Sequence, residues 1–129
     1  MNASVGRLQR RSDFLRVAAA RRKCVMPGLI LQAFPNKAAS RVPGRFRVGF
    51  TVSRKVGKAV ARNRARRRLR AVVDAVMPTR AAPGHDYVLI ARHATLARPF
   101  AALAGDLEKA LHRLGALRPA GAGGWEGRS

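Results

Sequence analysis

The chain is poor in acid, in aromatic rings and in cysteine, and each shortage removes a class of function. Only six residues are Asp or Glu, against 27 Lys and Arg in a chain of 129, for a formal net charge of +21. The six are Asp13, Asp74, Asp86, Asp106, Glu108 and Glu126; they are scattered, so no compact carboxylate set is available to hold the paired metal ions of a protein nuclease. Cys24 is the single cysteine, which excludes an intrachain disulfide. No Cys/His cluster has zinc-ligand spacing, and Cys24 is expected as a small buried apolar residue. Aromatics make up 5% of the chain, too few for a platform that stacks several bases. His85, His93 and His112 are dispersed and read as surface polar residues. No Ser/His/Asp, Cys/His or phosphate-loop arrangement is present, so the protein is not expected to be an enzyme on its own.

Long apolar runs are missing as well. None approaches the roughly 18 to 20 residues of a spanning helix, and the N-terminus lacks the apolar core of a signal peptide. A membrane is therefore disfavoured and a cytoplasmic location expected. What is abundant is positive charge, far beyond the need for solubility, and it implies a polyanionic partner. The length suits one domain with a single core.

Ser12 is read as the N-cap of a first helix running to about Ala20, with Asp13 at its positive end and Phe14 and Val17 on one side. Arg7, Arg10, Arg11, Arg16, Arg21 and Arg22 make this region basic, either as a solvated surface or as part of a ligand site. Pro27 divides two strands, Lys23 to Met26 and Gly28 to Phe34. Pro35 to Gly44 has turn chemistry. Arg45 to Ser53 alternates, with Phe46, Val48, Phe50 and Val52 on the packing face and Arg47 on the polar one. A central helix is predicted over Ala59 to Met77, stopped by Pro78, with Ala61, Ala65, Leu69, Val72 and Val76 as its apolar stripe. Tyr87 to Ala91 reads as an interior strand. Pro99 opens a last helix with Phe100, Leu103, Leu107, Leu111 and Leu114 on its core side and Gly115 as its cap. Residues 1–117 form the expected domain, and the Gly-rich 118–129 is expected to be disordered.

The densest basic run, Arg62 to Arg70, places six arginines in nine residues. A solvated helix would mix Glu with Lys at spacings of four, but no acidic residue lies between Arg54 and Arg70. Such crowding of like charge is relieved by a polyanion. Arginine's planar fork suits bidentate phosphate contacts and stacking on bases. Asn63, Arg64, Arg66, Arg67 and Arg70 fall opposite the stripe, whereas Arg62 and Arg68 flank it. Asn63 is read as a contact to a sugar hydroxyl or base edge, or as a plain surface amide. Phe14 is either a core residue or a base-stacking one. A structural RNA-binding protein of the ribosomal type and a DNA-binding helix module remain as alternatives; the second is weakened by the lack of a short partner helix.

The run Arg47-Val-Gly-Phe-Thr-Val-Ser-Arg-Lys-Val-Gly-Lys-Ala-Val-Ala-Arg-Asn-Arg-Ala-Arg-Arg-Arg-Leu-Arg70 resembles the signature of the bacterial ribonuclease P protein component family. Arg7-Leu8, Ser12-Asp13-Phe14, Gly84 to Arg92 and the last amphipathic helix extend the likeness over about residues 7 to 114. The resemblance implies an α+β sandwich of order α-β-β-β-α-β-α, with a four-stranded sheet and a left-handed βαβ crossover; the element reading arrives at the same order. It also implies one protein per catalytic RNA, in a particle that removes the 5′ leader of precursor tRNA. The RNA would carry the chemistry with its own Mg2+, and no cofactor is implied for the protein alone. The signature residues map to Lys55, Arg62, Asn63, Arg64, Arg66, Arg67 and Arg70, with Arg47 beside them, as RNA-binding residues. Phe14, Ile30 and Gln32 map to the leader cleft. The chain departs from the family at Ala18 and Gln32, where aromatics are common, so leader binding is expected to use less stacking and more charge.

Overall fold

The period-two burial expected of strands and the 3.6-residue stripes expected of helices meet in a sheet packed fully on one face and partly on the other. The computed structural model describes residues 4–36 and 45–117. Its elements are β1 (Ser4–Arg7), α1 (Arg11–Ala19), β2 (Lys23–Val25), β3 (Leu29–Pro35), β4 (Arg45–Thr51), α2 (Ala59–Arg80), β5 (His85–Ala91) and α3 (Phe100–Arg113), with single 3₁₀ turns at Arg54–Val56 and His93–Leu96. The sheet order is β1-β4-β5-β3-β2. β4 is parallel to both β1 and β5, whereas β3 runs antiparallel to β5 and β2. A tight hairpin cannot join parallel neighbours, so the chain crosses from β4 to β5 through α2.

On one face, Leu29, Leu31, Phe46, Val48, Tyr87 and Leu89 pack against Leu69, Val72 and Met77 of α2 and Leu103, Leu107 and Leu111 of α3. Each fully buried leucine here contributes about 1.5–3 kcal/mol of transfer free energy. Phe46 and Tyr87 meet edge to face, 5.7 Å between centroids. The other face carries a smaller cluster in which Leu8, Val17 and Val88 are buried and Phe14, Phe34 and Ile90 pack around them. Two helices thus cover the larger core, and α1 covers only part of the opposite face.

Several expectations change. The sheet has five strands rather than four: β1 was unforeseen because it has only four residues, and its partner Arg45 lies 41 positions away from Ser4 in register. Helix α1 begins at Arg11, not after Ser12; Arg10 occupies the N-cap without a side-chain cap, and Asp13 turns inward to arginines instead. Pro78 does not stop α2, which continues to Arg80. The proline forgoes one intrahelical bond, and the following turn is closed by the Ala81 N–H donating to the Met77 carbonyl at 3.0 Å. Val73 and Met77 join the buried stripe, while Ala61 is only half-buried. Phe100 is 45% exposed, because it begins α3 beyond the reach of the core. Cys24 is buried, as expected. Gly115 closes α3 at φ +69°, with the Gly115 and Ala116 N–H groups donating to the His112 and Leu111 carbonyls, the double bond of a Schellman cap. Residues 37–44 and the tail, 118–129, lie outside the described residues.

Candidate nucleic-acid interface

The turn into α2 is built by local chemistry. The Ser53 hydroxyl accepts from the Lys55 N–H at 3.3 Å, and Gly57 sits at φ +149°, where a Cβ would also lie 2.8 Å from that of Ala61. From there α2 buries Ala65, Leu69, Val72, Val73 and Val76, which rotates the basic residues outward. Asn63, Arg64 and Arg67 are exposed, and Arg62, Arg66 and Arg70 are half-buried. Arg66 donates to the Asn63 amide oxygen at 3.4 Å. The Arg70 guanidinium lies 5.7 Å from the centroid of Phe50. No acidic residue stands in the first turn of α2, so the positive end of the helix dipole adds to the arginine field rather than being offset.

The cleft residues lie on the opposite face of the sheet. Phe14 is half-buried, and its ring rests on Gly49: a Cβ there would fall 2.5 and 2.6 Å from Phe14 Cζ and Cε1. The ring is therefore both packed and partly open, which joins the two readings made of it. Ile30 and Ile90 form the floor of a groove whose sides include Ser53, Lys55, Arg92 and His93. Gln32, also half-buried, sits on the same face between Lys23 and Val88 in register. The structure thus brings Lys55 to Ile30 in one groove. It leaves Arg62, Asn63, Arg64, Arg66, Arg67 and Arg70 across the sheet, joined to that groove through the turn at Arg54–Val56. Ala18 is exposed one turn after Phe14.

Arg47 has a commitment that the strand alternation did not reveal. Its Nε and Nη2 donate to Asp86 at 2.8 and 2.7 Å, and its Nη1 lies 3.7 Å from Asp13. Asp86 is fully buried and also accepts from the Asn36 amide at 2.7 Å. These hydrogen bonds with Asp86, ahead of its charge, raise the Arg47 pKa above the ordinary arginine value against the opposing effect of burial. An upward shift contributes stability that is complete below the ordinary value and fades only above it, so this contribution is constant across physiological pH. The sequence did hold a signal: an Asp at the head of an apolar strand needs a buried cation.

A second set of arginines was also missed. Arg68 donates through Nε to the Thr95 carbonyl at 2.8 Å and through Nη2 to the Arg98 carbonyl. Arg92 donates to the Met26 carbonyl at 2.7 Å, and Arg98 grips Asp106 at 2.6 and 3.1 Å. Asp106 also accepts from the Gly28 N–H at 2.9 Å, and the buried Thr95 hydroxyl donates to the Gly28 carbonyl at 2.6 Å. Together these bonds fix the segment that carries Arg92 and His93 into the groove.

No described helix is long and apolar enough to cross a membrane. Among the described residues, no three His, Cys, Asp or Glu side chains gather as a metal-ligand set. Comparison with known proteins agrees with this geometry. The Ribonuclease P family model matches residues 3–115. The ribonuclease P protein component of Paramagnetospirillum magneticum is 56% identical over 118 residues, covering 92% of this chain and 89% of the relative. That of Gluconacetobacter diazotrophicus is 48% identical over 109 residues, covering 84% and 90%. In fold, the chain is similar to a mutant of the Staphylococcus aureus RNase P protein, with TM-score 0.71, 24% identity and coverage of 85% and 88%. It is likewise similar to the Thermotoga maritima RNase P protein, with TM-score 0.66, 24% identity and coverage of 80% and 92%. A signature helix, a half-covered sheet and relatives of this closeness have one meaning: the chain belongs to the ribonuclease P protein family.

Proposed function

We propose that the protein is the non-catalytic, RNA-binding subunit of a ribonuclease P particle, with one copy per catalytic RNA, and that it assists removal of the 5′ leader from precursor tRNA. The observation that carries this reading is the state of the α2 arginines. The guanidinium groups of Arg62, Arg64 and Arg67 make no hydrogen bond or ion pair among the described residues, although a neighbouring arginine on the same helix, Arg68, is held by two carbonyls. Donors left in a crowded positive field are arranged for phosphates.

The two faces divide the work. The outer arc of α2, with Asn63, Arg64, Arg66 and Arg67, meets the catalytic RNA. The groove takes the single-stranded leader, with Lys55 at its phosphates and Phe14, Ile30 and Gln32 along its bases. With Ala18 and Gln32 where the family often has aromatics, leader affinity rests on charge more than on stacking. Mg2+ would be held by the RNA and would supply the metal-ion chemistry there; the protein's part is to bind and orient the substrate.

Reconstitution with the cognate catalytic RNA tests this. The full chain is expected to lower the Mg2+ concentration needed for leader removal and to raise its rate. A particle whose rate and Mg2+ requirement are the same with and without the protein would sink the proposal.

A further inference from the structure

Between the β1–β4 edge of the sheet and the middle of α2 lies a cavity of about 200 Å³ that neither the leader groove nor the outer arc of α2 accounts for. Val48, Phe50 and Val73 form its apolar wall, the backbone of Gly6 closes one side, and Arg7, Arg70 and Asp74 supply its charges. Its volume suits one planar heterocycle and not a stack.

The arrangement of its two charged α2 residues, Arg70 and Asp74, leaves both side chains unpaired with each other. Arg70 and Asp74 stand four residues apart, on one side of the helix, in the base-before-acid order that is the weaker of the two for a helical ion pair. No ion pair joins them; the Arg70 guanidinium lies instead over the Phe50 ring, 5.7 Å from its centroid. Asp74 is the sole acidic residue of α2, it is exposed, and its carboxylate makes no hydrogen bond or ion pair among the described residues. In a chain of net charge +21, a carboxylate beside a planar cation but unpaired with it is placed to accept from donors outside the protein.

We propose that this cavity receives one unstacked nucleobase of the RNA partner and that Asp74 selects guanine. Unstacked bases are held by aromatic rings or arginine planes and read along their Watson–Crick edge. Arg70 and Phe50 provide the plane, and the exposed Arg7 at the mouth meets the adjoining phosphate. Guanine presents its N1–H and its N2 amine side by side, so both carboxylate oxygens accept at once. Adenine and cytosine offer a single amine on that edge, and uracil a single N–H. The assignment rests on the RNA-binding reading of α2 and adds a specificity determinant to it.

The test uses the isotopically labelled full chain titrated with GMP, IMP, AMP and UMP, following the backbone amides of Gly6, Arg7, Val73 and Asp74. All four nucleotides carry the same phosphate, so only base readout separates them. GMP is expected to shift these amides at concentrations about five-fold or more below those of IMP, which lacks the N2 amine; this is the lower end for losing a bidentate base contact. Asp74→Ala and Asp74→Asn are expected to remove that preference, and an unchanged melting curve for these exposed-site variants shows that the fold is intact. Equal responses to GMP and IMP, or a preference that persists in both variants, overturn the assignment. The RNA-binding reading is tested apart from it, by the salt dependence of catalytic-RNA binding, and would survive that result.

Discussion

Along α2, the side chains of Arg62, Arg64 and Arg67 have no partner among the described residues, whereas around the two ends of β5 Arg47, Arg68, Arg92 and Arg98 are all committed to carboxylates or carbonyls. The residue type is the same, and so is its apparent contribution to net charge. Around β5, however, the guanidinium is a multidentate connector. It satisfies the buried Asp86 and nearly buried Asp106, and it ties the backbone of the β5–α3 turn to α2 and to the β2–β3 turn. On the arc the same group is left solvated among like charges, at a cost to the free protein that a polyanion removes. Basic density alone therefore does not tell which arginines also hold the fold together.

Three variants probe this division. Arg47→Ala leaves the fully buried Asp86 with the Asn36 amide but without its cation, and removing one member of a buried pair costs about 3–5 kcal/mol. Urea denaturation is expected to show a loss of that size; a loss under about 1 kcal/mol would move Arg47 into the solvated group. Next, Arg68→Ala removes charged donors from the Thr95 and Arg98 carbonyls, with an expected loss of about 1.5–3 kcal/mol. The groove is expected to loosen with it, so hydrogen exchange in the segment from Arg92 to Arg98 should quicken more than in β4. Exchange that stays uniform would detach Arg68 from the groove. Smallest in stability is the double variant Arg64→Ala and Arg67→Ala, within about 0.5 kcal/mol of the parent. Its effect falls on binding: the log–log salt slope for the catalytic RNA should become shallower by about 1.4–1.8, from 0.7–0.9 per lost phosphate contact. An unchanged slope would take the arc out of the interface.

Local patterns carried much of the architecture. Alternation along Arg45–Thr51, the stripe through Ala65, Leu69, Val72 and Val76, and the Gly115 cap all lie where short-range geometry puts them. Three local signals misled. Ser12 is a good cap residue by type, yet Arg10 takes the N-cap and Asp13 is drawn to Arg16 and Arg47. Pro78 ordinarily breaks a helix, yet the buried Met77 and Ala81 hold the last turn in place. β1 is too short to register as a period and gains its bonds only from the edge of β4. At the candidate site, the exposure of Asn63, Arg64 and Arg67 could be read from the helical wheel, because a stripe fixes its opposite arc. The roles of Arg47 and Arg68 could not.

The amino-acid sequence by itself determined the polyanionic partner, the order of seven of the eight main elements and the family, since composition, periodicity and a long motif are properties of the chain as written. Only the tertiary structure decided which arginines are free. Arg47 meets Asp86 across 39 positions and Arg68 meets Thr95 across 27, and bonds closed over such distances leave no periodic mark. They form because buried carboxylates and carbonyls must find donors once the sheet and helices have packed, and the arginines those groups claim hold the fold as well as carry charge.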